Sequence, residues 1–239
     1  MKRIFQEFDQ VRIINLPERT DRRRAVLREL SAIGIGEVAP PISFFEARRP
    51  PSAAPGAKGP NGALISHREV IRDALAAGAE SLLILEDDIF FRRPSPDAIA
   101  AVLEAMRRES WDLLYCGYLD PAEADLTGRG ALASWEGRVI GGHFCGMNRA
   151  FMARMVDFMD SFGLPGADGV ITNPTHRDGA FNLFIERNPD VVRKLAVPCL
   201  AVQRSSRTDL HKNRFLDRTP IVREAVNSAR AFYNQFRKR

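Results

Sequence analysis

Three consecutive carboxylates, Glu86, Asp87 and Asp88, stand between two apolar segments of the chain. Acidic side chains held in such a setting repel one another, and their removal from water is costly. A divalent cation relieves both costs, because it brings opposite charge and binds carboxylate oxygens. If the extended backbone continues through the motif, Glu86 and Asp88 point to one side and Asp87 to the other. Two acidic side chains on one face suit a metal-bound diphosphate.

The acidic motif lies at the end of a predicted buried strand. Residues 82–85 are all leucine or isoleucine, and residues 89–91 are again apolar. An apolar run of this length, bounded by polar residues, is typical of a strand that is covered on both faces. In open α/β sheets, ligands collect beyond the carboxyl ends of such strands. The sequence therefore predicts a ligand-binding edge at residues 86–88.

A second set of candidate ligand-binding residues follows the first predicted strand, residues 11–16. Asn15 lies near the carboxyl end of this strand, and Arg19, Arg22 and Arg23 cluster at the turn into the next helix. A helix N-terminus attracts anions, so arginines beside it suit a phosphate-bearing ligand. The charges by themselves favour the simpler explanation, which is a solvated, charged first turn of the helix.

A serine and a histidine lie on the helix that leads into the acidic strand. Apolar residues three and four positions apart predict this helix over residues 61–77, with Ser66 and His67 in its first turns. A histidine on an apolar stripe is more often a buried, hydrogen-bonded residue than a catalyst. We therefore predict that His67 is a structural residue near the carboxylates.

The remaining pattern predicts an α/β fold. Further helices are expected over residues 20–33, 97–108 and 149–162, and further strands over residues 42–47, 111–118 and 195–202. This alternation is typical of a mostly parallel, Rossmann-like sheet with helices on both faces. Residues 131–144 predict a hairpin near the mouth of the sheet, and Pro198 places the last strand at an edge. We expect one domain over residues 1–218, with residues 219–239 forming a basic amphipathic helix packed on it.

The composition narrows the class of ligand. The 239 residues are 45% hydrophobic and 27% charged, with 35 Lys and Arg against 30 Asp and Glu. This basic balance suits a phosphorylated small molecule, and no nucleic-acid motif accompanies it, so no nucleic-acid partner is expected.

No apolar stretch approaches the roughly 18 residues that a membrane-spanning helix needs. The first ten residues lack the pattern of a signal peptide, and the three cysteines, each among apolar residues, predict reduced core thiols in a cytoplasmic protein.

Four segments of the chain carry a family resemblance. They are Ile14-Asn15-Leu16 with Arg19, Asp21 and Arg22; the helix segment Gly62–His67; the strand and motif Leu83–Asp88; and the weaker signals Asp178, Gln203 and Ser206. In this order they resemble glycosyltransferase family 25, which contains lipooligosaccharide galactosyltransferases and collagen galactosyltransferase domains. The likeness spans roughly residues 11–210. Ala63 stands where many members carry cysteine, and residues 119–175 match poorly.

The resemblance implies a GT-A-like fold and a transferase that moves a hexose, such as galactose, from a UDP-sugar to a glycan hydroxyl. It implies Mn²⁺ or Mg²⁺, with Asp88 on the metal and Glu86 on the metal or on the ribose of the donor. The other residues expected around the donor are Asn15, Leu16, Arg19, Arg22, Ser66, His67 and Asp87. His143, which follows two glycines, is expected at the donor or at the acceptor. An inverting reaction needs a carboxylate base at the acceptor hydroxyl, and the predicted base is Asp178.

The resemblance also suggests lipopolysaccharide biosynthesis, with an acceptor that can be lipid-linked and a peripheral contact of the basic C-terminus with the inner membrane. Two other functions remain open: a non-catalytic protein that binds a nucleotide sugar or serves as a scaffold, and another metal-dependent enzyme that uses nucleotides. The latter class usually has a glycine- and lysine-rich phosphate loop after the first strand, where this chain reads NLPERTDRRR. Asp178 could also simply cap the helix that follows it.

Overall fold

The computed structural model describes residues 1–47, 58–161 and 177–204. The helices are α1 (Lys2–Phe5), α2 (Thr20–Ala32), α3 (Lys58–Ala76), α4 (Pro96–Arg108), α5 (Arg149–Ser161) and α6 (Arg177–Arg187). The strands are β1 (Gln10–Asn15), β2 (Ile42–Glu46), β3 (Ser81–Glu86), β4 (Ile89–Phe91), β5 (Leu113–Gly117), β6 (Leu132–Ser134), β7 (Phe144–Asn148), β8 (Arg193–Ala196) and β9 (Ala201–Gln203). The predicted C-terminal helix and Ser206 lie outside the described residues.

The nine strands of the described residues belong to one mixed sheet. β2, β1 and β3 are parallel neighbours, and β7 lies antiparallel between β3 and β5. β5 continues in parallel with β8 and, at one position, with β9. β6 and β4 run antiparallel to β8 and β9. Six strands therefore share one direction, which confirms the predicted mostly parallel α/β sheet.

Helices cover both faces of this sheet, as the sequence predicts. Leu82 and Ile84 point to the face covered by α3, α5 and α6, and Leu83 and Leu85 point to the face covered by α1, α2 and α4. All four side chains are fully buried. This alternation explains why β3 is a continuous apolar run. None of the helices in the described part of the chain is long and apolar enough to cross a membrane.

Short polar signals begin two of the helices. The Ser95 hydroxyl accepts a hydrogen bond from the Ala98 amide at 3.2 Å, and Pro96, which needs no partner for an N–H, starts α4. Oδ1 of Asn148 accepts from the Phe151 amide at 2.8 Å, so Asn148 caps the start of α5. Both caps satisfy backbone donors that the first turn of a helix leaves without a partner.

Two expectations about the strands are wrong. Residues 131–144 do not form a hairpin, because β6 pairs with β8 whereas β7 pairs with β3 and β5. The single late strand is two strands, β8 and β9, separated at Pro198. β8 lies between β5 and β6 and is not at an edge. The reason is that Pro198 stands in the connection, where its lack of an N–H costs the sheet no hydrogen bond.

Candidate functional site

The three carboxylates of the acidic motif do not continue an extended strand. β3 ends at Glu86, Asp87 and Asp88 form a turn, and β4 begins at Ile89. The simple alternation of sides expected from an extended backbone therefore does not apply. Each carboxylate has its own surroundings at the carboxyl end of β3, beside the end of β1.

Asp87 is bound on both of its oxygens by protein groups. The Asn15 amide donates to Oδ2 at 2.8 Å, and Nη1 of Arg22 donates to Oδ1 at 2.7 Å. Asn15 and Asp87 are both buried. Part of the electrostatic cost of three adjacent carboxylates is thus met by an arginine from α2. Asp87 links the ends of β1 and β3 to the first turn of that helix.

Glu86 is held from two sides. The Gln203 amide donates to Oε2 at 3.0 Å, and Nε2 of His67 lies 3.7 Å from Oε1, an ion pair when the ring is protonated. Nδ1 of His67 lies 2.9 Å from the carbonyl of Ala63 and donates to it, since a carbonyl oxygen only accepts. The His67 side chain is almost fully buried. This is the buried, hydrogen-bonded position beside the carboxylates that the sequence predicts.

Asp88 has the least compensated carboxylate of the three. Its Oδ1 is buried and has no hydrogen-bond partner among the described residues, while Oδ2 lies 3.6 Å from Nη1 of Arg22. Burial raises the pKa of the Asp88 carboxyl; Arg22 opposes this rise and Asp87 adds to it. A buried carboxylate oxygen without a donor is costly in the absence of a ligand. Asp88 is therefore the residue at this edge with the most to gain from a cation.

The geometry is compatible with a metal ion that takes only part of its ligands from the protein. Among the residues that the structure describes, no group of three or more His, Cys, Asp or Glu side chains is arranged to hold a metal. Glu86 and Asp88 offer two carboxylates. Mg²⁺ sites commonly use one or two carboxylates and complete the coordination with water and substrate phosphates. Oδ1 of Asp88, which accepts no hydrogen bond from the part of the chain that the structure describes, is available as one of these protein ligands.

The other residues expected around a donor are partly brought to this edge. Arg19 lies at the start of α2, but its guanidinium makes a bidentate pair with Asp21, with both distances 2.9 Å. That contact lowers the pKa of Asp21 to about 2. The Leu16 carbonyl accepts from the Arg19 amide. Ser66 lies in the middle of α3, which begins at Lys58, and its hydroxyl donates to the Gly62 carbonyl at 2.7 Å.

His143 contributes its backbone to the acidic edge. Its carbonyl accepts from the Glu86 amide at 3.0 Å, so it continues the pairing of β3 with β7. The ring is fully buried, and Nε2 donates to the Ala201 carbonyl at 3.1 Å. Gly117 leaves the room for this contact, because a Cβ at that position would lie 2.8 Å from Nε2 of His143.

Asp178 lies in the first turn of α6 and contacts the same loop. Its Oδ2 accepts from the Gly141 amide at 3.0 Å. Gly141 has φ +81°, which favours glycine, and it stands two residues before His143. The Asp178 carboxylate is thus fixed to the segment that leads into the Glu86 contact. α6 begins at Arg177, so Asp178 lies inside the helix rather than at its N-cap.

Glu29 and Arg204, for which the sequence predicts no role, hold the turn of the acidic motif (residues 86–88, called the acidic turn below) in place. The Arg204 amide donates to the Asp88 carbonyl at 2.6 Å. Glu29, from α2, lies 3.4 Å from Nη2 of Arg204 and accepts from the Phe91 amide at 3.3 Å. Both polar residues stand among ordinary helix and strand-end residues, so no local pattern marks them. Glu29 and Arg204 come into contact because the pairing of β9 with β4 brings Arg204 to the acidic motif.

Comparisons with known proteins connect the chain to glycosyltransferases. No family model matches it. It is 28% identical over 129 residues to the human protein named Inactive glycosyltransferase 25 family member 3, covering 46% of this chain and 22% of that protein. It is 30% identical over 131 residues to Procollagen galactosyltransferase 1 of Danio rerio, covering 46% of this chain and 21% of that protein. The matches thus span about a fifth of the length of these relatives.

Two solved structures show a weak likeness. One is a glycosyltransferase involved in the glycosylation of the major capsid of PBCV-1, with 11% identity and a TM-score of 0.46 over 83% of this chain and 94% of that one. The other is the mannosyltransferase PcManGT from Pyrobaculum calidifontis in complex with GDP-Man and Mn²⁺, with 11% identity and a TM-score of 0.39 over 84% of this chain and 58% of that one. Neither TM-score is high enough to establish a shared fold.

Proposed function

We propose that this chain is a glycosyltransferase with a GT-A-like fold that moves a hexose, such as galactose, from a UDP-sugar to a hydroxyl of a glycan. The observation that carries the proposal is the environment of the Asp88 carboxylate. Its Oδ1 is buried just beyond the carboxyl end of β3, next to a second carboxylate, Glu86, and no group of the described residues donates a hydrogen bond to it. The sequence similarity to glycosyltransferases over nearly half of the chain supports the same class of reaction.

Glu86 and Asp88 are the residues that would hold Mn²⁺ or Mg²⁺. A metal bound there would supply positive charge against the diphosphate of the departing UDP. Asn15 and Arg22 fix Asp87, and this keeps the turn of the acidic motif in place. Arg19 and Arg22 lie near the N-terminus of α2, where backbone N–H groups also favour a phosphate. Ser66, His67 and His143 are assigned to the surroundings of the donor, and His67 contacts Glu86 directly.

Asp178 is the proposed general base. It would take the proton of the acceptor hydroxyl as the hydroxyl oxygen bonds to the anomeric carbon of the donor. The bond from that carbon to the diphosphate oxygen breaks in the same step, and UDP leaves with the bonding electrons. The configuration at the anomeric carbon is therefore inverted. The Gly141 amide orients Oδ2 of Asp178, and Gly141 is joined through Gly142 to His143, whose carbonyl binds the Glu86 amide.

A non-catalytic protein that binds a nucleotide sugar is the second candidate. Two facts favour it: Arg22 already pairs with the acidic motif, and one relative bears the name of an inactive member. A glycan acceptor that is lipid-linked, and a peripheral membrane contact through the basic residues 219–239, belong to the proposal of an active transferase.

Mass spectrometry after incubation with a panel of nucleotide sugars and a bacterial glycan extract tests the proposal. The expected result is a glycan heavier by one hexose, formed with a UDP-sugar and Mn²⁺ and not formed with EDTA. If no product forms but UDP and Mn²⁺ raise the melting temperature, the binding protein is the correct alternative. If no nucleotide changes the melting temperature and no product forms, both candidates are wrong.

A further inference from the structure

We propose that Gln203 is a positioning residue of the candidate metal site, where its amide holds the Glu86 carboxylate beside Asp88 and thereby sets the affinity for the metal. The inference rests on the proposed function, since it takes Glu86 and Asp88 as the metal-binding pair. It begins from one contact: Nε2 of Gln203 donates to Oε2 of Glu86 at 3.0 Å, across 117 positions of the chain.

The backbone around Gln203 fixes the place of this amide. Gln203 stands opposite Ile89 in the antiparallel pairing of β4 with β9, and the next amide, that of Arg204, donates to the Asp88 carbonyl at 2.6 Å. On the other side, Ala201 pairs with Gly117 of β5 and is fully buried. Residue 203 is therefore held against the acidic turn by a strand. Positions on strands orient a ligand-binding group more exactly than positions on free loops.

Gln203 differs from Arg22 in that its side chain carries no charge. Arg22 brings a positive charge to Asp87 and so cancels part of the attraction of the turn for a cation. The Gln203 amide orients Glu86 through a neutral donor, so it adds no positive charge to the acidic motif. A hydrogen-bond partner that orients a metal-binding carboxylate commonly changes metal affinity about 10-fold to 100-fold when it is removed.

Mn²⁺ binding in the presence of saturating UDP tests the inference, with free Mn²⁺ measured by electron paramagnetic resonance. Gln203→Met removes the donor but keeps an unbranched side chain of similar length, and we expect Mn²⁺ affinity to fall about 10-fold. Gln10→Met is the matched control, because Gln10 also lies on a strand and binds a neighbour, Arg12, at the opposite end of β1. This control should bind Mn²⁺ like the unaltered chain. Both variants should keep the melting temperature of the metal-free protein within a few degrees.

The outcomes separate this inference from the proposed function. If the unaltered chain binds Mn²⁺ with UDP and Gln203→Met binds it equally well, the role of Gln203 is refuted and the proposed function stands. If the unaltered chain binds neither Mn²⁺ nor UDP, both are refuted. Should Gln203→Met not fold, Gln203→Asn replaces it in the test, since it keeps an amide but withdraws it from Glu86, and the same loss of affinity is expected.

Discussion

Nη1 of Arg22 lies 2.7 Å from Oδ1 of Asp87, although the two residues stand 65 positions apart in the chain. Their side chains are only 16% and 9% exposed. The same nitrogen lies 3.6 Å from Oδ2 of Asp88. Arg22 of α2 therefore places a positive charge beside two of the three carboxylates of the acidic motif.

A double-mutant cycle should show that the pair stabilises the fold. Arg22→Met and Asp87→Asn are each expected to lower the free energy of unfolding, with a coupling energy of about 1–3 kcal/mol, because neighbouring charges in one network do not act additively. Urea unfolding of the single and double variants measures it. Arg154 and Asp190 form the control pair: their distance is also 2.7 Å, but their side chains are 41% and 66% exposed. Their coupling should be roughly 0.5 kcal/mol or less. Equal coupling in both pairs would contradict the prediction.

Asp88→Ala should remove the metal-dependent part of ligand stabilisation. In the unaltered chain, UDP with Mn²⁺ at a hundredfold excess over the dissociation constant is expected to raise the melting temperature by about 5 °C or more. The variant should keep only the shift that UDP causes with EDTA, because Asp88 offers a buried oxygen to which no residue within 1–47, 58–161 and 177–204 donates a hydrogen bond. Asp73→Ala, which removes a half-exposed carboxylate paired with Arg12, is the control and should behave like the unaltered chain. An unchanged metal-dependent shift in Asp88→Ala would exclude Asp88 as a ligand.

Asp178→Asn should separate binding from transfer. The asparagine oxygen can still accept from the Gly141 amide, so the fold and the affinity for UDP should be retained. Turnover should fall about 100-fold or more, since an amide cannot take the proton of the acceptor hydroxyl. Product formation by mass spectrometry and UDP titration measure the two effects. Asp157→Asn, on the exposed side of α5, is the control. Normal turnover by Asp178→Asn eliminates Asp178 as the base.

Gly141→Ala should be more harmful than Gly128→Ala. Both glycines have φ +81°, so each substitution carries the same backbone strain of about 1–2 kcal/mol. A Cβ at Gly141 would also lie 2.7 Å from Cγ of Leu119, whereas no atom of the described residues lies within 4 Å of a Cβ at Gly128. The crowding should displace the amide that binds Asp178, so only Gly141→Ala should lose turnover as well as stability. Equal losses of stability, with turnover kept in both, would show that the Gly141 contact is dispensable.

The three cysteines should be unreactive in the native protein. Cys116, Cys145 and Cys199 are buried as thiols in the core, where the sequence predicts them. Burial raises the pKa of Cys116 and Cys199, and a thiol reagent attacks the thiolate. Titration with a chromogenic disulfide should therefore detect no thiol in buffer and three in guanidinium chloride. Rapid reaction of even one thiol under native conditions would mean that the core opens readily.

The sequence by itself determined the α/β class, the buried strand β3 and the position of the acidic motif at its end. These features follow from local patterns: an apolar run such as residues 82–85 can be covered only by two layers, and the alternation of strands and helices indicates parallel connections. The burial of His67 beside the carboxylates was predictable for the same reason, since it stands on the apolar stripe of a helix that leads into that strand.

Only the tertiary structure decided which partner each carboxylate has. The side-chain types of Arg22 and Gln203, a cation and a neutral amide, do not tell which carboxylate each one reaches, because the contacts join residues 65 and 117 positions apart. The antiparallel insertion of β7 and the division of β8 from β9 at Pro198 likewise depend on pairing between distant segments, which a local pattern does not encode. Elementary electrostatics predicts that the repulsion between three adjacent carboxylates must be compensated. The fold assigned Asp87 to an arginine, Glu86 to a glutamine and a histidine, and left one oxygen of Asp88 without a hydrogen-bond donor among the described residues.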